Sequence, residues 1–502
     1  IGLISTTLHA DDALPPTTTT QEVVKPNKEA STKPADDAPT VTEHQTTLAG
    51  KTIKYTASAG TVTLKDDTDK PRAKMFHIAY TVPAEKNRPI TFVFNGGPGA
   101  AAIWLHLGTA GPMRVKLKDD GNVLPPPYVL EANPYNWLDL TDLVFIDPVG
   151  TGYSRAEPDK QKEFSSVQGD VSSVAEFIRL YLTKNNRWSS AKFIAGESYG
   201  TTRAAGLSEY LHDRFGIDLN GVILISTVLN FQTLSFNDGN DAAYPLFLPT
   251  YAATAWYHKK TAQDPPVPLE KFIAQAQDFA MGEYASALMK GSSLSDDERA
   301  KIEDRLVLFT GLSKDFVRKA NLRITPFRFE KALLGDQNKI IGRMDGRITA
   351  HDIDPLGSTP AFDPSLDGYT GLFSGAFNQF IRETLGYENE QTYEFLSPRV
   401  GPWDWQTPNS YLNVAGSLRD CMMKLPDMKV FVAQGYYDFA TPFTASDVTI
   451  NQLPLGKQLL SNITRTYYEG GHMMYLNQPS LKKLKDDLAV FYHAALSESA
   501  RQ

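Results

Sequence analysis

The chain has 502 residues, 41% of them hydrophobic and 11% aromatic, which allows a sizeable core. A net charge of −8, with no basic cluster, argues against a nucleic-acid partner. The one cysteine, Cys421, leaves no intramolecular disulfide and no Cys-x-x-Cys metal site, and no apolar run approaches the ~18 residues of a membrane span.

Residues 1–10 end in small residues and are expected to be the remnant of a secretory signal peptide. Residues 11–43 are rich in Thr, Pro, Lys, Asp and Ala with no apolar period, which predicts a disordered tether. Together they suggest a periplasmic or secreted protein. From residue 44 the pattern changes. Lys51 to Ala57, Gly60 to Leu64 and Ala73 to Val82 suit antiparallel strands at a sheet edge. Pro89 to Phe94 is a buried strand leading into Asn95-Gly-Gly-Pro-Gly99. Exposed N–H groups of such a loop can face an oxyanion, or the loop can be a plain tight turn. Leu143 to Asp147 is a further strand. Val167, Val171, Val174, Ile178 and Tyr181 mark one face of a helix.

Ala191 to Gly206 reads as strand, sharp turn, helix, with Ser198 in a Gly-x-Ser-x-Gly pattern. Gly196 and Gly200 remove collisions with the strained serine, and the N–H of Tyr199 is free to meet an oxyanion. Gly221 to Ser226 is another central strand. Strands alternating with helices imply a mostly parallel sheet covered on both faces. The alternation stops after about Leu234, and residues 235–390 are expected to form an inserted cap over the site. Two core parts, 44–234 and 391–502, flank it. The second contains Lys429 to Ala433, which leads to Asp438, and Arg465 to Glu469, which leads to His472. A terminal helix from Gln478 carries Leu481, Leu484, Leu488 and Phe491.

A nucleophilic serine needs a base, and the base needs an orienting carboxylate. His472 follows a strand and two glycines, unlike His9, His44, His212, His258 and His493, which have bland contexts. Asp438 also sits just past a strand, although a loop aspartate is more often a turn residue. The order Ser198, Asp438, His472 is that of α/β-hydrolases, and an α/β-hydrolase fold with an inserted cap is the expected class.

The motifs Asn95-Gly-Gly-Pro-Gly99, Gly111-Pro112, Asp147-Pro-Val-Gly-Thr-Gly-Tyr-Ser154, Gly196-Glu-Ser-Tyr-Gly200, Gly435-Tyr-Tyr-Asp438 and Gly471-His472-Met473 resemble the serine carboxypeptidases of the carboxypeptidase Y and cathepsin A type, peptidase family S10, in their bacterial branch. The resemblance implies a catalytic triad of Ser198, His472 and Asp438. It also implies an oxyanion hole from the N–H groups of Gly97 and Tyr199, and recognition of the substrate's terminal carboxylate by Asn95 and Glu197. Glu197 would then be a protonated donor, which predicts an acidic optimum; the alternative for Glu197 is an acid favoured by a helix N-terminus. The implied partners are peptides with a free C-terminal carboxylate, and no cofactor or metal is implied. Departures from the family pattern are Val93 where tryptophan is frequent, Ala100 to Ala102 where serines follow the glycine loop, and Thr109 where a glutamate often stands; these predict a looser carboxylate site. An esterase or acyltransferase would use the same triad, and a binding module would have lost part of it.

Overall fold

Alternation along the central strands decides the architecture. Phe193 and Ala195 join one apolar cluster while Ile194 joins another; Ile223 and Ile225 part in the same way from Val222 and Leu224, and Phe431 and Ala433 from Val430 and Val432. A strand with two apolar faces is stable only between two covering layers. The computed structural model, which describes residues 38–83, 87–261 and 267–497, has that arrangement. Residues 1–37, with the expected signal remnant and most of the expected tether, lie outside the described residues.

The main sheet is formed by β1 (Thr40–Leu48), β2 (Lys51–Lys65), β3 (Pro71–Thr81), β4 (Ile90–Phe94), β5 (Asp142–Ile146), β6 (Lys192–Ser198), β7 (Gly221–Thr227), β8 (Lys429–Gly435) and β9 (Ile463–Tyr468). The spatial order is β1-β2-β3-β5-β4-β6-β7-β8-β9, and a two-residue strand, Arg155–Ala156, pairs with β3. From β5 to β9 every neighbouring pair is parallel, whereas β1, β2 and β3 form an antiparallel apron that joins β5. The order reverses around β4 and β6, and such a switch opens a crevice at the carboxyl ends of the strands.

Eight helices matter here: α1 (Val167–Lys184), α2 (Tyr199–Phe215), α3 (Ala243–Tyr257), α4 (Leu269–Phe279), α5 (Asp296–Thr310), α6 (Pro364–Glu383), α7 (Ala415–Lys424) and α8 (Gln478–Ser497). One face of the sheet is covered by α1, α2 and α7 through Val174, Ile178, Leu207, Leu211, Leu418 and Met422. Cys421 is buried in this layer, as a small apolar side chain would be. The other face is covered by α8 and α6 through Leu484, Leu488, Phe373 and Phe377. A third cluster joins α3, α4 and α5 through Tyr251, Phe272 and Phe309, and includes Phe439 from the loop after β8.

Three details differ from the sequence reading. β2 runs unbroken through Gly60, where two strands were expected; a Cβ there would lie 2.9 Å from Pro39, so the glycine admits a close neighbour instead of turning the chain. β1 begins at Thr40, inside the stretch expected to be tether, because residues Thr40 to Leu48 pair in register with Ala59 back to Lys51. The described residues of 235–390 add no strand to the main sheet, but α6 within that range packs into the sheet's own apolar layer. Among the described residues no helix is long and apolar enough to cross a membrane.

Candidate active site

Ser198 ends β6 and immediately precedes α2, with φ 59° and ψ −131°. A non-glycine residue holds such a backbone only when its surroundings dictate it. Those surroundings are glycines. A Cβ on Gly196 would lie 2.1 Å from the carbonyl oxygen of Gly200, and one on Gly96 would lie 2.4 Å from the amide nitrogen of Tyr199. The loop after β4 therefore packs directly on the serine turn. Tyr199 is the first residue of α2, so its N–H has no acceptor within the helix. Among the described residues no backbone acceptor takes the N–H of Gly97. The helix N-terminus adds a partial positive charge at the same spot.

His472 lies in the loop after β9, and its Nδ1 is 2.8 Å from Oδ2 of Asp438. Asp438 is fully buried after β8. Its Oδ1 accepts the N–H groups of Ala440 and Thr441, and its Oδ2 accepts the hydroxyl of Thr441. These bonds fix the carboxylate, which in turn fixes the ring and directs Nε2 away from Asp438. Burial disfavours the imidazolium. The charge and hydrogen bond of Asp438 outweigh it, with help from Glu197, and hold His472 above its ordinary value. His472 and Ser198 line the same pocket of about 320 Å³. Among the described residues they share no hydrogen bond.

Asn95, Gly97, Glu197 and Tyr199 line this pocket too; of the seven residues singled out in the sequence, Asp438 alone stands behind it. Glu197 is 4% exposed, and burial pushes its carboxyl up to about 7. Tyr475 donates its hydroxyl to Glu197 Oε2 at 2.5 Å, and Asn95 supplies a further side-chain hydrogen bond. Asn95 has its Oδ1 engaged by the N–H of Leu105 at 3.1 Å, which leaves its Nδ2 to face the carboxyl. Beneath it, Arg203 donates to the Asn95 carbonyl at 2.6 Å and to buried Asp170 at 2.8 Å. Asn95 and Glu197 are thus anchored at the ends of two separate strands.

Several contributors carry no sequence signal that was read. Tyr475 lies three residues after His472. Ser226, at the end of β7, donates its hydroxyl to the carbonyl of His472 at 2.6 Å. Trp104 lines the pocket, whereas the family's frequent tryptophan position holds Val93. Most notable is segment 343–347 in the expected cap. The N–H of His472 donates to the Met344 carbonyl at 2.5 Å, the N–H of Phe439 to the Arg343 carbonyl at 3.1 Å, and the N–H of Gly346 to the Tyr437 carbonyl at 3.0 Å. Asp345 accepts the N–H of Gly471 at 3.0 Å. One short stretch therefore bonds to both loops of the acid–base pair. A pattern of alternation could not reveal it, because these contacts are mostly between backbones.

Comparisons with known proteins bear on the family and the fold. A stretch of the chain is 33% identical over 125 residues to serine carboxypeptidase-like 5 of Arabidopsis thaliana, covering 24% of this chain and 28% of the relative. A stretch is 30% identical over 165 residues to serine carboxypeptidase-like 1 of the same plant, covering 31% of this chain and 36% of the relative. The chain thus spans about a third of the length of these curated relatives. The crystal structure of Kex1(delta)p, a prohormone-processing carboxypeptidase from Saccharomyces cerevisiae, matches 87% of this chain and 91% of its own with a TM-score of 0.53 at 16% identity, which is a likeness of fold. The model of the serine carboxypeptidase family matches residues 48–478, and the chain belongs to that family.

Proposed function

We propose that this protein is a serine carboxypeptidase that removes the C-terminal amino acid from peptides through an acyl-enzyme. The observation that carries the reading is the meeting, in one pocket, of Ser198, the Asp438-held His472 and the buried carboxyl of Glu197. In the reaction, Ser198 Oγ attacks the scissile carbonyl carbon while His472 Nε2 takes its proton. The oxyanion forms against the N–H groups of Gly97 and Tyr199, each such donor contributing about 10²–10³ in rate. Collapse expels the amine of the terminal amino acid, which leaves with the proton from His472. Water then attacks the ester on Ser198, with His472 again the base, and releases the shortened peptide.

Asn95 and Glu197 supply the exopeptidase character. A protonated Glu197 donates to the substrate carboxylate, where an ionised one would repel it. Activity on free C-termini is lost as pH rises through about 7, the value to which burial pushes Glu197. A periplasmic or extracellular setting belongs to the same reading and rests on the composition of residues 1–43; cell fractionation tests it.

The experiment is mass-read release of amino acids from a peptide acid and from its C-terminal amide. Sequential loss from the acid, much slower on the amide and abolished by Ser198→Ala, is expected. Equal rates on both would replace the carboxypeptidase with an esterase or acyltransferase using the same triad.

A further inference from the structure

The pocket contains a charged side chain that the reaction above does not use. Arg343 lines it beside Ser198 and His472, and is half-buried. Its main chain is pinned at both ends: its N–H donates to Asp363 Oδ1 at 3.0 Å, and its carbonyl accepts from Phe439. Its guanidinium makes no hydrogen bond and no ion pair among the described residues. Other arginines near the site are matched: Arg347 with Asp345 at 2.6 Å, Arg203 with Asp170 at 2.8 Å.

The carboxyl groups nearest Arg343 are otherwise engaged. Asp363 already accepts the N–H groups of Arg343, Met344 and Ser365 and the hydroxyl of Ser365. Glu330 is 2% exposed, and burial pushes its carboxyl up to about 8 against the pull of Arg343, so it keeps its proton at neutral pH. A guanidinium partly withdrawn from water, with five donors in a planar fork, is matched best by a carboxylate arriving with the ligand. Arg343, Ser198 and His472 line the same pocket, and the positive charge is felt at His472, whose value it lowers.

We propose that Arg343 makes this enzyme selective for peptides carrying Asp or Glu next to the scissile bond, by pairing with that side-chain carboxylate while Asn95 and Glu197 hold the terminal one. The inference rests on the carboxypeptidase reading and adds its substrate class. The pair would form inside a cleft, where a charge-assisted bidentate contact discriminates by about 10- to 100-fold against a neutral isostere.

The test uses matched peptides that differ only by Glu or Gln at the last or the penultimate position, with kcat/KM read by mass. Wild-type enzyme is expected to favour Glu by about 10- to 100-fold at one of the two positions. In Arg343→Met that Glu/Gln ratio should fall to about one, and in Arg343→Lys, which keeps charge but loses the fork, to an intermediate value. The wild-type ratio alone tests the proposal if a variant fails to fold. Release of amino acids with a ratio of one at both positions overturns it and leaves the carboxypeptidase standing. An Arg343→Met enzyme that keeps the Glu preference also overturns it. No release from any peptide, with Ser198 unlabelled by a fluorophosphonate, sinks the carboxypeptidase reading and this one with it.

Discussion

Replacing Glu197 by glutamine separates its role in recognition from its role in the fold. The glutamine keeps the shape and can accept from Tyr475, but it cannot ionise. In the native protein the carboxyl, ordinarily near 4.5, is pushed by burial up to about 7. That corresponds to ~3 kcal/mol against the ionised form. With a folded value above the free one, the productive protonated form dominates below about 7 and is lost above it. For a peptide acid, wild-type kcat/KM should therefore fall about tenfold per pH unit on the alkaline side. The acid side is set by His472, which must be neutral to act as base and is held above its ordinary value by Asp438 and, in part, by Glu197. Glu197→Gln should remove the alkaline limb near 7 and leave the acid limb, where Glu197 is already protonated and uncharged, largely in place. The assay is a pH series of kcat/KM on a blocked dipeptide acid, with the dipeptide amide as a substrate that has no carboxylate to recognise. A variant with the native alkaline limb would refute the assignment of Glu197 as the titrating group.

Two other outcomes follow from the same geometry. Ser226→Ala removes the 2.6 Å bond to the His472 carbonyl and leaves every triad side chain in place; kcat should drop by about tenfold with KM little changed, while the fluorophosphonate still labels Ser198. Glu330→Gln probes stability instead. Because the folded value of Glu330 is raised to about 8, its stabilising contribution is complete below about 4.5 and drains away as pH rises to 8. The melting temperature of the wild type should decline over that window relative to the glutamine variant, and parallel curves would rule the contribution out.

Much of the molecule was legible in one dimension because its signals are carried by side chains. The apolar central strands, the helix face of Val171, Val174 and Ile178, and the glycines flanking Ser198 each state a local requirement, and their chain order restricts the ways they can be assembled. Gly60 misled because a glycine that admits a neighbour looks the same as one that turns the chain. Tyr475 and Ser226 went unread since a hydroxyl reveals its partner only in three dimensions. Segment 343–347 was opaque for a deeper reason: it acts largely through amides and carbonyls that every residue possesses, in a region without period. Arg343 was likewise one arginine among many until the fold set it in the pocket of His472, with no side-chain partner among the described residues.

The double attachment of residues 343–347 has a bearing on how such enzymes can change. The stretch bonds to both the Asp438 loop and the His472 loop, so a segment far from either in sequence holds the two together. A graft that exchanged the insert to alter substrate choice would have to carry this strut along. Without it, the ring of His472 would lose a main-chain anchor although no residue of the triad had been touched.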